Sequence, residues 1–115
     1  MGYVLIHHTG CGSSKKGLAL LEDKGVAVEV RKYMNASSRL SEEELRDIAK
    51  MMGEGPRAFM REKDVKAAGL DPETITDDAL FAAMAENPKL IQRPIGIHNG
   101  KAVLGRPNDR LLEIA

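Results

Sequence analysis

The first thirty residues alternate between apolar and polar segments in a way that predicts a strand, a helix and a second strand. Residues 3–6 form a short apolar run that ends in polar residues and glycine, which is typical of a buried strand. Leucines then recur in a helical pattern over residues 12–25, and a glycine is expected to end that helix. Valines at alternate positions in residues 26–30 predict a half-buried strand, parallel to the first.

The middle of the chain has the longer spacing of apolar residues that predicts helices. Ser41 and Glu44 form a capping-box pattern before a helix that Gly53 is expected to end. A proline opens a short predicted helix over residues 56–61, and a further helix is predicted over residues 76–87. The methionines of this region are interpreted as core residues that fill irregular gaps.

The last third of the chain returns to strands. Apolar segments at residues 94–97 and 102–104 flank an Asn-Gly pair at residues 99–100, which is the strongest short signal for a hairpin. Pro107 can open a final helix. The predicted order is β-α-β, a helical block and β-β-α. Because no repeat, linker or low-complexity tract divides it, residues 1–115 are expected to form one α/β domain.

Composition narrows the class of protein. Seventeen basic and seventeen acidic residues cancel, and the aromatic residues are two Tyr and two Phe, so we expect no nucleic-acid partner. The apolar stretches are far shorter than the ~20 residues that cross a bilayer, so we expect no membrane association. A single cysteine permits no internal disulfide, and the amino terminus lacks a signal-peptide pattern. We therefore expect a cytoplasmic protein.

Cys11 is placed where the first strand ends and the first helix begins, between two glycines. Free backbone N–H groups and the positive end of a helix stabilise an anion there, and the reactive form of cysteine is the thiolate anion. A nearby histidine or lysine would favour the thiolate further if it faced the sulfur. Cys11 is therefore the candidate nucleophile, and the candidate anion-binding residues of its loop are Gly12, Ser13, Ser14 and Lys15.

Several other motifs are excluded at this loop. Leu18 occupies the position where a phosphate-binding Walker loop needs lysine, and Lys15 occupies the position of a dinucleotide-binding glycine. Gly17 stands where a cysteine phosphatase would carry arginine, and Ser14 interrupts a C-x-x-C pair. No fourth ligand at a recognisable spacing supports a zinc site, so no metal is expected. Any turnover through the sulfur must end on an external thiol, although a buried structural cysteine stays an open alternative.

A family resemblance covers nearly the whole chain, in order and with matching spacing. Its residues are His7, Cys11, Ser14, Arg61, residues 87–95 and residues 105–107. With these residues the sequence resembles the glutaredoxin-linked arsenate reductases of the ArsC family. The resemblance implies a thioredoxin-like fold with a central helical insertion, and we expect a monomer.

The resemblance also implies a reaction. Cys11 corresponds to the nucleophile that attacks arsenate, and Arg61, Arg93 and Arg106 correspond to the arginines that bind the oxyanion. Arginine suits this role because its planar guanidinium offers paired donors to tetrahedral oxyanions and keeps its proton. Glutathione as co-substrate and glutaredoxin as partner would complete the reduction, and no tightly bound cofactor is expected.

Three further residues receive roles from the resemblance. His7 corresponds to a histidine that helps to lower the thiol pKa, Ser14 to a serine whose hydroxyl supports the thiolate, and Pro94 to a proline with a cis peptide bond beside the cysteine. The chain departs from the family pattern at residues 8–9, where His-Thr replaces Asn-Pro, and at Lys15, where arginine is usual.

Two other functions share this expected fold. One is a redox regulator of the Spx type that binds RNA polymerase, although such proteins typically carry the C-x-x-C switch that Ser14 interrupts here. The other is a glutathione-dependent thiol reductase that uses the same cysteine on a different substrate. Both remain alternatives to arsenate reduction.

Overall fold

The computed structural model describes residues 2–115, so Met1 of the predicted domain lies outside the described residues. Its strands and α-helices are β1 (Tyr3–His7), α1 (Gly12–Asp23), β2 (Val28–Lys32), α2 (Glu42–Met52), α3 (Glu62–Ala67), α4 (Asp77–Glu86), β3 (Ile95–His98) and β4 (Lys101–Leu104). Short 3₁₀ segments occur at Ala36–Ser38, Pro56–Phe59, Pro88–Leu90 and Asn108–Ile114. Among residues 2–115, no helix is both long enough and apolar enough to cross a membrane.

The four strands form one mixed sheet in the order β2-β1-β3-β4. β1 runs parallel to β2 and antiparallel to β3, and β3 and β4 form an antiparallel hairpin. Asn99 and Gly100 at its turn both have positive φ, at 51° and 75°, as a type I′ turn requires. The predicted α/β class and its thioredoxin-like order of β-α-β, helical insertion and β-β-α are confirmed.

Alternating residues of β1 divide the core into two parts. Tyr3 and Leu5 pack with α1 and the carboxyl-terminal 3₁₀ segment, whereas Ile6 packs with the helical insertion. His7 follows the same period as Tyr3 and Leu5, so its side chain lies on the α1 side of the sheet. The end of β1 therefore delivers His7 directly to the start of α1.

Leu111 is fully buried where α1, the hairpin and the carboxyl-terminal segment meet. A Cβ atom added to Gly17, Gly96 or Gly105 would lie only 2.8–3.0 Å from the Leu111 side chain. Pro94 belongs to the same contact, because its Cγ would lie 3.0 Å from a Cβ on Gly17 and 2.9 Å from one on Gly105. Glycine is therefore needed at these positions so that the backbones can approach closely.

The structure corrects the predicted helix over residues 56–61. Its 3₁₀ segment ends at Phe59, and Arg61 instead precedes α3 as the N-cap residue. The sequence pattern missed α3 because a helix of six residues with Val65 as its one buried residue has no measurable periodicity. The final helix after Pro107 is a 3₁₀ segment, and β2 begins at Val28 and not at Val26.

The capping box of α2 is confirmed and is joined to the edge strand β2. Ser41 Oγ accepts the Glu44 N–H at 3.1 Å, and Glu44 Oε1 accepts the Ser41 N–H at 3.0 Å. Arg31 of β2 donates to both carboxylate oxygens of Glu44. This bidentate contact, with the Ser41 N–H, lowers the pKa of Glu44 to about 2. The ion pair therefore ties the sheet edge to α2.

We expect Glu44→Gln to remove a pH-dependent part of the stability while keeping the capping box, since an amide oxygen still accepts the Ser41 N–H. The Glu44 pKa is depressed in the folded protein, so its stabilisation is present above the unfolded value of about 4.3 and is lost as the pH falls towards about 2. For a pair this exposed we expect about 1 kcal/mol at neutral pH. Urea unfolding of both proteins between about pH 7 and pH 2 measures the difference, which should shrink steadily as the pH falls from about 4 to 2.

Glu43→Gln is the matched control, because Glu43 is exposed in the same helical turn and makes no ion pair within residues 2–115. It should leave the pH dependence of unfolding unchanged. A stability difference for Glu44→Gln that stays constant over the whole pH range would contradict the assignment.

Candidate active site

Cys11 is the N-cap residue of α1, with extended backbone angles of φ −104° and ψ 121°. Its N–H donates to the His8 carbonyl at 3.0 Å, which closes a tight turn, and its own carbonyl accepts the Lys15 N–H at 3.0 Å. The side chain is partly exposed. The sulfur therefore stands at the amino-terminal end of the helix, as the sequence predicted, where unpaired N–H groups favour an anion.

Ser14 connects the sulfur's loop to the end of β1. Its hydroxyl accepts the His8 N–H at 3.0 Å and lies 2.7 Å from His7 Nδ1, and both Ser14 and His7 are buried. Burial, followed by the charges of His8 and Lys32, lowers the pKa of His7 and favours a neutral ring. Since the serine oxygen already accepts one N–H, its proton is available to Nδ1. His7 thus acts on the loop through Ser14.

Two of the predicted arginines lie at the sulfur. Arg106 Nη2 is 3.7 Å from Cys11 Sγ, and Arg106 Nε donates to the Arg93 carbonyl at 2.9 Å. Arg93 acts on Cys11 both as a hydrogen-bond donor and as a charge. Its Nε atom is buried and has no hydrogen-bond partner within residues 2–115. The cysteine thus faces guanidinium groups from two distant loops.

The pKa of the Cys11 thiol lies below its ordinary value. Burial is the largest single influence and raises this pKa, but it is outweighed by the backbone N–H of Ser14, the Arg93 guanidinium and the backbone N–H of Ser13. A larger fraction of the sulfur is therefore thiolate at neutral pH than in a free cysteine.

Arg61 lies in the same region and is held by two side chains of neighbouring segments. Its Nε donates to Asp64 at 2.6 Å and its Nη1 to Gln92 at 3.2 Å. Its charge lowers the pKa of His8, after the larger effects of burial and Arg93. The charges of Arg93 and Arg61 thus act on His8, whereas burial and the charges of His8 and Lys32 are the leading influences on His7.

The other predicted residues surround this centre. Gly12 is exposed, Lys15 is exposed with its charge acting on His7, and the Arg93–Pro94 peptide bond is cis, as is Arg106–Pro107. Ser13 accepts hydrogen bonds from Asn108, a residue that the sequence analysis did not single out.

Tyr33 is a further residue at the site that was not predicted from the sequence. It is fully buried, and its hydroxyl donates to the Ile91 carbonyl at 3.0 Å. Burial is the largest influence on the pKa of Tyr33 and raises it. Arg93 lowers this pKa and the charge of Cys11 raises it, so the Tyr33 ring borders the site. Tyr33 follows Lys32, which pairs with His7 across the parallel strands. The rule that functional side chains gather at the carboxyl ends of parallel strands could have identified it.

The sheet also bounds a cavity of about 240 Å³ against α2, and its lining contains neither Cys11 nor the three arginines. Within residues 2–115, no group of three or more His, Cys, Asp or Glu side chains is arranged to hold a metal ion. The candidate chemistry is therefore concentrated at the amino-terminal end of α1.

The fold and the site define a thioredoxin-like protein with one cysteine at a helix start, beside arginines from later loops. Residues 6–114 match the model of the ArsC family, and the chain belongs to that family. An arsenate reductase from Neisseria meningitidis is 42% identical over 110 residues, which cover 93% of this chain and 92% of the relative. One from Haemophilus influenzae is 38% identical over 117 residues, which cover 99% of each. The structure of an arsenate reductase from Vibrio cholerae matches with a TM-score of 0.90 and 45% identity, covering 100% of this chain and 98% of that chain.

We expect Arg93→Ala to move the midpoint of Cys11 alkylation to higher pH, because a donor and a positive charge beside the sulfur are lost. Near pH 7 the alkylation rate should fall by about threefold to tenfold, since less thiolate is present. Above both midpoints the variant should react at least as fast as the wild type, because a more basic thiolate is the better nucleophile. Iodoacetamide is the reagent of choice because it is uncharged.

Arg110→Ala is the control for the loss of one positive charge. Arg110 is exposed and approaches only Glu113, at 3.8 Å, among the ion pairs of residues 2–115. Its alkylation profile should match that of the wild type. An unchanged midpoint for Arg93→Ala would remove Arg93 from the control of the thiol.

Proposed function

We propose that this chain reduces arsenate to arsenite, with Cys11 as its nucleophile and with glutathione and glutaredoxin as the source of electrons. The observation that carries the proposal is the partly exposed Cys11 sulfur at the start of α1, with Arg106 Nη2 at 3.7 Å and Arg93 acting on the same atom. Membership of the ArsC family and the similarity to arsenate reductases over nearly the whole chain support it.

The first step forms a bond between sulfur and arsenic. The Cys11 thiolate attacks arsenic(V), one arsenate oxygen leaves as water after protonation, and a covalent cysteine–arsenate adduct results. The negative oxygens of this adduct would be stabilised by guanidinium groups that are already in place. Arg93 suits this role because its guanidinium already acts on the sulfur, and Arg106 because its Nη2 lies 3.7 Å from it. Arg61 is proposed as the third oxyanion-binding arginine.

The second step transfers two electrons to arsenic. A glutathione thiolate attacks the Cys11 sulfur, an S–S bond forms, and the pair of electrons of the broken As–S bond stays on arsenic, which leaves as arsenite. A glutaredoxin thiolate then attacks the glutathione sulfur of the remaining mixed disulfide, which restores the Cys11 thiolate and leaves glutathione bound to glutaredoxin; a second glutathione releases it as glutathione disulfide. Two thiols are thus oxidised to one disulfide for each arsenate reduced, with one water released.

An external thiol is required because Cys11 is the one cysteine of the sequence. No internal disulfide can form after arsenite leaves, so a thioredoxin-linked route that resolves the sulfur within the chain has no second residue to use. Glutathione is small enough to reach a partly exposed sulfur, and the mixed disulfide that it forms with Cys11 is the class of substrate that glutaredoxin reduces.

We expect Cys11→Ser to abolish arsenate-dependent NADPH oxidation in an assay that contains glutathione, glutaredoxin and glutathione reductase. Serine keeps the shape of the N-cap residue but is not ionised near neutral pH, so the As–S adduct cannot form. Urea unfolding should confirm that the variant retains its fold. Arsenate reduction that persists in Cys11→Ser would contradict the mechanism.

The source of electrons is tested in the same assay. Replacing glutathione and glutaredoxin by thioredoxin and its reductase should give no turnover with the wild-type chain. Wild-type protein that alkylates rapidly and reduces a glutathione mixed disulfide but leaves arsenate untouched would instead support a thiol reductase with another substrate.

A further inference from the structure

Arg106 is an exposed residue in a loop, and its position at the sulfur therefore depends on what holds that loop. An unrestrained arginine side chain on a protein surface has many rotamers, and holding it in one of them costs conformational entropy. One restraint acts on the side chain itself, since its Nε donates to the Arg93 carbonyl at 2.9 Å. A second restraint acts on the backbone of the loop.

Asn108 provides that second restraint. Its side-chain Nδ2 lies 2.9 Å from the Gly105 carbonyl, 3.0 Å from the Ser13 carbonyl and 3.3 Å from Ser13 Oγ. Gly105 immediately precedes Arg106. Ser13 is in the first turn of α1, ninety-five residues before Asn108 in the chain. One amide group therefore joins the Arg106 loop to the helix turn that carries Cys11.

We propose that Asn108 is a positioning residue of the candidate active site, which holds the Arg106 loop against the first turn of α1 so that the Arg106 guanidinium lies at the Cys11 sulfur. This inference rests on the proposed function for its link to arsenate. Its geometric content, the coupling of Asn108 to Cys11 through Arg106, is independent of the substrate.

The chemistry of the three contacts requires an amide at this position. All three partner atoms are oxygens that act as acceptors, and Nδ2 carries two hydrogens that they share. Aspartate has the same shape but would place a carboxylate oxygen against two carbonyl oxygens, which repel it. Gly17 adjoins this amide, because a Cβ atom there would lie 3.4 Å from Asn108 Nδ2, in van der Waals contact.

The test is a pair of double-mutant cycles measured by arsenate reduction. Asn108→Ala should lower kcat/KM for arsenate by about fivefold to thirtyfold, within the range for coupled contacts, and Asn108→Asp should lower it further. In an Arg106→Ala background, Asn108→Ala should cause less than about a twofold further loss, because its effect is exerted through Arg106. In an Arg93→Ala background the full loss caused by Asn108→Ala should remain.

A second readout separates this inference from the proposed function. Alkylation of Cys11 by iodoacetamide near pH 7 should slow in Arg106→Ala, should slow less in Asn108→Ala, and should be the same in the double variant as in Arg106→Ala. This cycle applies even if the wild-type chain does not reduce arsenate. Asn35→Asp is the control, because Asn35 is exposed and makes no side-chain cap bond, and it should change neither rate by more than about twofold.

The two cycles distinguish a positioning role for Asn108 from a purely stabilising one, and both from a failure of the proposed function. Equal losses from Asn108→Ala with and without Arg106 would make Asn108 a stabilising residue of the loop without a role in positioning the arginine, and would overturn the inference. An alkylation rate that does not respond to Arg106→Ala would overturn it as well. Coupling seen in alkylation, in a chain without arsenate reductase activity, would support the positioning role and contradict the proposed function.

Discussion

The contact between Leu111 and three glycines determines how closely the first helix approaches the loops that carry Arg93 and Arg106. A Cβ atom on Gly17, Gly96 or Gly105 would come within 3.0 Å of the Leu111 side chain, so the backbone of each glycine packs directly against this one buried side chain. Packed interiors do not deform continuously, and this contact therefore allows one spacing between α1 and the hairpin. This packing brings α1 close to the loops that carry the arginines, and side-chain contacts then hold Arg106 at the sulfur.

The pKa of the Cys11 thiol, at the start of α1, is set by opposing influences. Partial burial disfavours the thiolate, while two backbone N–H groups of α1 and the Arg93 guanidinium favour it and prevail. Because the N–H groups belong to the helix start, the strand-to-helix turn supplies part of the stabilisation without any charged residue. The positive charge of the arginines stabilises the resting thiolate. Under the proposed function it would also stabilise the oxygens of a bound oxyanion.

The features that the sequence predicted well are those whose causes are local. The capping box of Ser41 and Glu44 and the type I′ turn at Asn99 depend on residues within a few positions of each other. The α/β order followed from periodicity, and the placement of Cys11 followed from the end of one predicted element and the start of the next.

The features that the sequence did not reveal depend on residues far apart in the chain. Arg61 lies at the start of α3, where its N–H donates to the Leu90 carbonyl at 2.7 Å, a contact that leaves no periodic pattern. Tyr33 enters the site through strand pairing, and Asn108 through a contact across ninety-five residues. The family resemblance identified the charged residues of the site, which are the arginines. The uncharged residues that orient them were identified only from the structure.

An exposed ion pair contributes little by itself, because water competes for both partners and each side chain loses freedom on pairing. Arg106 and the Cys11 sulfur are both accessible, and under the proposed function the sulfur has to remain accessible to an external thiol. Enclosing the pair to strengthen it would block that access. The structure resolves the conflict by fixing the arginine through backbone carbonyls, with Nε on Arg93 and the loop held by Asn108, so that the orientation of the charge is maintained at a site open to solvent.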